Sequence, residues 1–145
     1  MHQPTYSWQP SPHTADLAIA IAATDHDGLF RAALDGLLGS IELDPAQPDE
    51  HEISEYGLNL KSYEIEAALV DFLNECIYLM EVEDLVPFRI HSISYDGDSL
   101  RSVIHCRPVR KSERNEIGHI KAATYSDLKV EKTDSEYRTR IIFDT

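Results

Sequence analysis

The sequence predicts a single α+β domain in which two helices pack on antiparallel or mixed β-sheets. Two segments have apolar residues at helical spacing, and several short segments are rich in β-branched and aromatic residues. The order is strand, helix, strand, helix and then a run of strands, which is typical of α+β domains. We expect residues 12–145 to form this domain. Residues 1–11 are polar and contain Pro4 and Pro10, so we expect them to be a flexible tail.

The first helix is predicted from apolar residues that recur at spacings of three and four between Phe30 and Ile41. Thr24 and Asp27 have the spacing of a capping box, with an acceptor at the cap and a carboxylate three residues later. Gly39 is a candidate for the end of this helix, because glycine is common just after the last helical residue. We therefore expect a helix in this region, weakened by Gly36 and Gly39.

The second helix has the clearest apolar stripe in the chain, over residues 64–80, with Ser62 as a candidate cap. Residues 96–98, Asp-Gly-Asp, have the composition of a hairpin turn between two strands. Strands are predicted at residues 17–23, 51–60, 88–95, 99–107, 116–124, 126–132 and 137–144.

The formal net charge of the 145 residues is −13, which disfavours broad nucleic-acid binding because phosphates would be repelled. A basic protein or metal cations are better partners for such a chain. Arg107, Arg110, Lys111 and Arg114 form a local exception, which we interpret as a solvated loop, with a phosphate or acidic-partner contact as the alternative. Neither a membrane span nor a leader is evident, so we expect a cytoplasmic protein.

Familiar catalytic motifs are missing from the sequence. There is no GxSxG, no GxxxxGK[ST] and no pair of histidines at HxxxH spacing, so the sequence does not support a Ser-His-Asp hydrolase, a zincin or independent nucleotide hydrolysis. Cys76 and Cys106 belong to no CxxC pair and lie among apolar residues. We expect both to be buried free thiols.

Two carboxylates lie at opposite ends of the strand pattern. Asp16 directly precedes the first predicted strand, and Asp144 ends the last one. Hard divalent cations such as calcium or magnesium take oxygen ligands, which carboxylates supply together with negative charge. Taken alone, the residues favour the simpler interpretation, in which Asp16 is a turn residue and Asp144 a frayed terminus.

Several motifs occur together in an order that resembles the archease family. They are His13-Thr14-Ala15-Asp16, the segment 121–125 (KAATY), the Leu-Lys-Val at 128–130, the helix over 64–80 and a hydrophobic strand that ends in Asp144. The resemblance extends from about residue 12 to residue 145.

The resemblance implies a protein cofactor and not an enzyme. Archeases assist RtcB-type RNA ligases, promoting GTP-dependent guanylylation and multiple turnover in tRNA splicing and RNA repair. By this resemblance, Asp16 and Asp144 would bind a divalent metal ion (calcium, magnesium or manganese), with Asp44 as a further candidate ligand. Lys121 and His13 would contact the partner or a phosphate.

The chain departs from the family pattern at a few positions. Ser126 stands where a histidine is usual, and His119 where a glutamate is more common. The motif therefore does not identify a third carboxylate ligand. Two other functions are consistent with the residues: a metal-binding chaperone or modulator of other RNA-modifying enzymes, and a small metal-dependent phosphoesterase.

Overall fold

The computed structural model describes residues 5–12, 17–43 and 47–145. Within these ranges the chain forms two antiparallel sheets and two long helices, which confirms the predicted α+β class. The strands are β1 Tyr6–Pro10, β2 Leu17–Ala23, β3 Ser54–Lys61, β4 Leu85–Tyr95, β5 Ser99–Pro108, β6 Ala122–Ala123, β7 Glu131–Lys132 and β8 Tyr137–Asp144. The helices are α1 His26–Ser40, α2 Ile65–Glu81 and the single turn α3 Arg114–Ile117.

The larger sheet is organised around β8. Its strand order is β1-β2-β8-β6, and β7 pairs with the other end of the same edge of β8. The smaller sheet has the order β3-β5-β4, in which β4 and β5 form the predicted hairpin. Gly97 in its turn has a φ of +90°, a conformation that glycine adopts without steric cost.

The two long helices lie between the sheets, and each contacts strands of both. Their apolar faces meet in the core, where the rings of Phe30 on α1 and Phe72 on α2 pack edge to face with centroids 5.6 Å apart. Arg31 ties α1 to the smaller sheet by donating from Nη1 to the carbonyl of Ile90 at 2.8 Å. Among the described residues, no helix is both long and apolar enough to cross a membrane.

The expectation of a flexible tail over residues 1–11 is wrong for Tyr6–Pro10. These residues form β1, which pairs antiparallel with β2 along its whole length. Trp8 packs against α1 at Gly36 and Gly39, where an added Cβ would lie 3.4 Å and 2.3 Å from the indole ring. The glycines that weaken the helical pattern of α1 therefore allow β1 to approach that helix closely.

Two of the expected strands are mostly absent. Residues 116–124 were expected to be extended, but they begin in α3 and contribute the two-residue β6. Residues 126–132 contribute the two-residue β7. Both short strands pair with β8, and residues between them contact α2.

The caps of both helices also differ from expectation. Asp25, and not Thr24, caps α1, because its Oδ1 accepts from the amide of Gly28 at 2.7 Å. Glu64 is the N-cap residue of α2 and makes no side-chain capping bond, so Ser62 does not have the expected role. Both differences shift a helix start by one or two residues and leave the packing faces as predicted.

Candidate metal site at the end of β8

The candidate site begins at Asp144, the last residue of β8, whose side chain is exposed. Ala122 lies opposite Asp144 in the β6–β8 pairing, and the amide of Lys121 donates to the Asp144 carbonyl at 2.9 Å. Lys121 is also exposed. The structure therefore brings two of the predicted site residues side by side, although they are 23 positions apart in the sequence.

The remaining predicted site residues, His13, Asp16 and Asp44, lie outside the described residues. The nearest described neighbours of Asp16 and Asp44 in the chain are Leu17 and Leu43. Leu17 pairs with Phe143, the residue before Asp144, in the β2–β8 ladder.

A cleft of about 590 Å³ opens at this end of the larger sheet. It is lined by Leu17, Ser40, Ile41, Glu116, Gly118, His119, Ile120, Lys121 and Thr145. The cleft thus joins the start of β2, the end of α1 and the segment that leads into β6. In this cleft, His119 Nδ1 lies 3.9 Å from Glu116 Oε2, where a protonated imidazole would pair with the carboxylate.

Two carboxylates of this region have the chemistry that a hard cation needs. Glu116 lines the cleft and Asp144 is exposed at the end of β8, and calcium, magnesium and manganese prefer carboxylate oxygens. Across residues 5–12, 17–43 and 47–145, no group of three or more His, Cys, Asp or Glu side chains is arranged to hold a metal ion. A complete ligand set at Asp144 would therefore need a donor from outside these ranges.

Helix α2 holds the segment that carries Lys121. Asn74 Oδ1 accepts from the amide of Ala123 at 2.7 Å, and Asn74 Nδ2 donates to the Ala123 carbonyl at 3.3 Å. The Tyr125 hydroxyl donates to Asp71 Oδ1 at 3.3 Å, and Glu66 Oε2 accepts from the amide of Val130 at 2.9 Å. Sequence reasoning missed these anchors, because a side chain that binds a distant main chain leaves no local pattern.

The opposite side of the same segment is held by β8. The amide and the hydroxyl of Thr124 both donate to the carbonyl of Ile142, each at 3.0 Å. Thr124 Oγ1 also accepts from the amide of Ser126 at 3.3 Å. The KAATY segment is therefore fixed from two sides, by α2 and by β8, and this fixes where Lys121 emerges.

The basic segment 107–114 is not the solvated loop that we expected. Arg107 is 1% exposed and forms a two-bond pair with Glu113, with Nη1 to Oε1 at 2.8 Å and Nη2 to Oε2 at 2.7 Å. Arg114 binds Asp84 through one bond of 2.7 Å on the surface. The hydrogen bond from Arg114 holds the pKa of the Asp84 carboxyl below its usual range. Arg107 and Arg114 thus fix the chain between β5 and α3.

The two cysteines are buried free thiols, as predicted. Burial raises the pKa of Cys106 to about 11 and raises that of Cys76 well above its usual range. Both thiols therefore stay protonated at neutral pH and are inert parts of the core.

The fold and the cleft define a small single-domain α+β protein with a candidate acidic site at the end of its central strand. The sequence matches the Archease protein family (MTH1598/TM1083) over residues 8–145, so the chain belongs to that family.

Relatives with known names agree with this assignment. The protein archease of Thermotoga maritima is 31% identical over 140 residues, which is 94% of this chain and 98% of that protein. The protein archease of Methanosarcina acetivorans is 33% identical over 89 residues, which is 59% of this chain and 61% of that protein. A crystal structure from Thermotoga maritima, described as an archease and possible chaperone, superposes with a TM-score of 0.63 at 31% identity. The superposition covers 94% of this chain and 96% of that one.

Proposed function

We propose that this chain is an accessory protein that activates an RtcB-type RNA ligase, promoting GTP-dependent guanylylation and multiple turnover in tRNA splicing or RNA repair. One observation carries the proposal beyond family membership. The pairing of Leu17 with Phe143 and the bond between the Lys121 amide and the Asp144 carbonyl bring the start of β2, the KAATY segment and the end of β8 to one end of the larger sheet. This supports a shared site there, which an activating function would need.

We further propose that Asp16 and Asp144 bind a divalent metal ion, with calcium, magnesium and manganese as the candidates and Asp44 as a possible additional ligand. The exposed Asp144 carboxylate supports this, since it offers oxygen donors to solvent at the end of β8, between residues Lys121 and Thr145 that are respectively bonded to its main chain and next to it in sequence. When bound, such an ion would supply positive charge that offsets the charge of a transferring phosphate.

The side chains around the ion have separate proposed roles. Lys121 emerges beside Asp144 and would contact a phosphate oxygen or a carboxylate of the partner as a point charge. His13 would orient Asp16. Because Asn74 and Thr124 hold the segment of Lys121, that lysine would meet the partner in a fixed position.

The proposal is tested with a purified RtcB-type ligase, from the same genome where one exists, in guanylylation and multiple-turnover ligation assays. Wild type should raise the rate of GMP attachment and allow more than one ligation per ligase. Asp16→Ala and Asp144→Asn should lose this effect. Asp134→Ala is the matched control, because Asp134 is an exposed aspartate in the β7–β8 turn, at the opposite end of β8 from Asp144. No effect of wild type on its own ligase would refute the proposal.

The metal is tested separately by isothermal titration calorimetry with CaCl₂, MgCl₂ or MnCl₂ on the protein alone. Asp144→Asn keeps the shape of the side chain and removes its charge, so it should weaken binding, while Asp134→Ala should not. Equal binding by all three proteins would refute the assignment of Asp144 as a ligand.

A second function, a metal-binding chaperone or modulator of other RNA-modifying enzymes, is favoured by the description of the Thermotoga maritima structure as a possible chaperone. It predicts that the protein slows aggregation of unfolded RNA-modifying enzymes with or without an intact Asp144. Suppression of aggregation together with no effect on guanylylation would favour this second function.

A further inference from the structure

One solvent-facing strip of α2 carries apolar and acidic side chains together. Asp71, Glu75, Tyr78 and Val82 follow one another at spacings of four, three and four, so they lie on the same face of the helix and its C-cap. Tyr78 is 44% exposed and Val82 is 60% exposed. Most other long side chains of α2 are buried, so this strip is the part of the helix that another molecule can contact.

Hydrogen bonds at the ring edges hold the aromatic side chains of the strip. The Tyr78 hydroxyl donates to Glu83 Oε1 at 3.1 Å, and the hydroxyl of Tyr125, itself 58% exposed, donates to Asp71. Bonds of this kind keep the ring faces available and reduce the rotamer freedom that binding would remove.

The strip ends in an apolar groove of about 420 Å³ beside Val82. The groove is lined by Met80, Glu81, Val82, Val109, Arg114, Ile117 and Gly118. Gly118 lines both this groove and the cleft beside Lys121, so the two lie next to each other on the surface. A molecule seated beside Val82 would therefore lie close to that cleft.

The negative charge around the α2 strip and the Val82 groove indicates what kind of partner would bind there. Helix α2 contains Glu66, Asp71, Glu75 and Glu81 and no Lys or Arg, in a chain with a net charge of −13. The cation beside the groove, Arg114, is bound to Asp84. A phosphate backbone would be repelled here, whereas a protein segment with an apolar side chain next to Lys or Arg is complementary. Exposed tyrosine rings bind such cations favourably.

We propose that the α2 strip and the Val82 groove form a docking surface for a positively charged, partly apolar segment of the ligase partner. This inference rests on the proposed function and adds to it the surface by which the partner is held. Tyr78 and Val82 would be the anchor residues of the interface, and Glu81 and Glu83 its acidic rim.

The experiment measures binding of the full-length protein to the purified ligase by calorimetry, separately from guanylylation. Tyr78→Ala should weaken binding at least tenfold, and Val82→Asp at least as much. Tyr63→Ala is the matched control: Tyr63 is 69% exposed, precedes α2 and should change binding less than twofold. Raising the salt from 50 to 300 mM should also weaken binding of wild type.

The outcomes separate this inference from the proposed function. If Tyr78→Ala and Val82→Asp bind as wild type does, or if wild type does not bind, the docking surface is refuted, whatever the guanylylation assay shows. If Asp144→Asn still binds but no longer activates, while Tyr78→Ala loses binding, the docking surface is supported apart from the metal site. Circular dichroism of both variants should match wild type, because both side chains are on the surface.

Discussion

The side chain of Asn74 and the main chain of Ala123 form a two-bond bridge between α2 and β6. Helix and strand are 49 positions apart at this point. Strand β6 has only two residues, and its pairing with β8 does not use the amide and the carbonyl of Ala123. Asn74 supplies the acceptor for that amide and the donor for that carbonyl. It therefore sets the position of Lys121, two residues earlier in the chain.

Removing this bridge should destabilise the fold near the candidate site. In Asn74→Ala the main chain of Ala123 loses both partners, at a cost of about 1–3 kcal/mol. The free energy of unfolding in urea should fall by that amount, and amide hydrogen exchange at Ala123 should become faster. Asn59→Ala, at an exposed asparagine of β3, is the control and should leave both quantities unchanged. Unchanged exchange at Ala123 in Asn74→Ala would contradict the prediction.

The buried pair of Arg107 and Glu113 should be sensitive to the loss of either partner. In Glu113→Gln the guanidinium of Arg107 stays buried and loses the opposite charge of Glu113, which costs about 3–5 kcal/mol. Urea unfolding should show this loss. Both side chains of the surface pair of Asp84 and Arg114 are about half exposed to solvent. Asp84→Asn should therefore lower the free energy of unfolding much less than Glu113→Gln does. Equal losses in the two variants would show that burial does not govern these pairs.

The buried thiols should make the protein less stable at alkaline pH. The Cys106 thiol has a pKa of about 11 in the fold and about 9 in the unfolded chain, so the unfolded state loses its proton first. The stability contribution of the thiol is complete below pH 9 and is lost as the pH rises towards 11. A difference of about two pKa units corresponds to about 2.7 kcal/mol.

Urea unfolding from pH 8 to pH 11 measures this dependence. The decline should be shallower in Cys106→Ala than in wild type, even though the variant starts from a lower stability because it creates a cavity. Parallel curves for the two proteins would mean that the thiol does not contribute.

The contact between Trp8 and Gly39 can be followed by fluorescence, because Trp8 is the only tryptophan in the sequence. Helix propensity alone predicts that Gly39→Ala stabilises α1 by about 1 kcal/mol. The added Cβ would, however, lie 2.3 Å from Trp8 Cζ2, so the indole must move away from the helix. We expect the emission of Gly39→Ala to shift to longer wavelength. Gly57→Ala, where no atom lies within 4 Å of the added Cβ, should leave the emission unchanged.

The sequence predicted the elements that carry strong periodicity and missed those held by distant contacts. Helix α2 and strand β8 were predicted nearly to the residue, because α2 has a regular apolar stripe and the residues of β8 alternate from Tyr137 to Ile141. Strand β1 was missed because Ser7 and Gln9 face solvent and Pro10 cannot donate to a ladder, which an edge strand tolerates. Helix α3 is a single turn, too short to show any period.

The candidate site was predicted by resemblance and not by local pattern. Lys121 and Asp144 become neighbours through the β6–β8 pairing, and no spacing rule connects them. Asn74 and Asp71 lie within the predicted second helix, and the local pattern does not distinguish such anchors from other polar surface residues, because their partners are about 50 positions away. The expectation of a solvated loop was wrong at Arg107 for a related reason: Glu113 is close in sequence, but burial of the pair depends on the tertiary fold.

The position of β8 has a consequence for how the protein is made on the ribosome. Strand β8 is the last strand in the chain, yet it binds β2, β6 and β7 and is the hub of the larger sheet. During translation, β1 and β2 would leave the ribosome early. The edge of β2 that pairs with β8 would stay unpaired until residues 137–144 have left the exit tunnel. Such an edge is a template for pairing with other nascent chains, so slow synthesis or early termination should lead to aggregation.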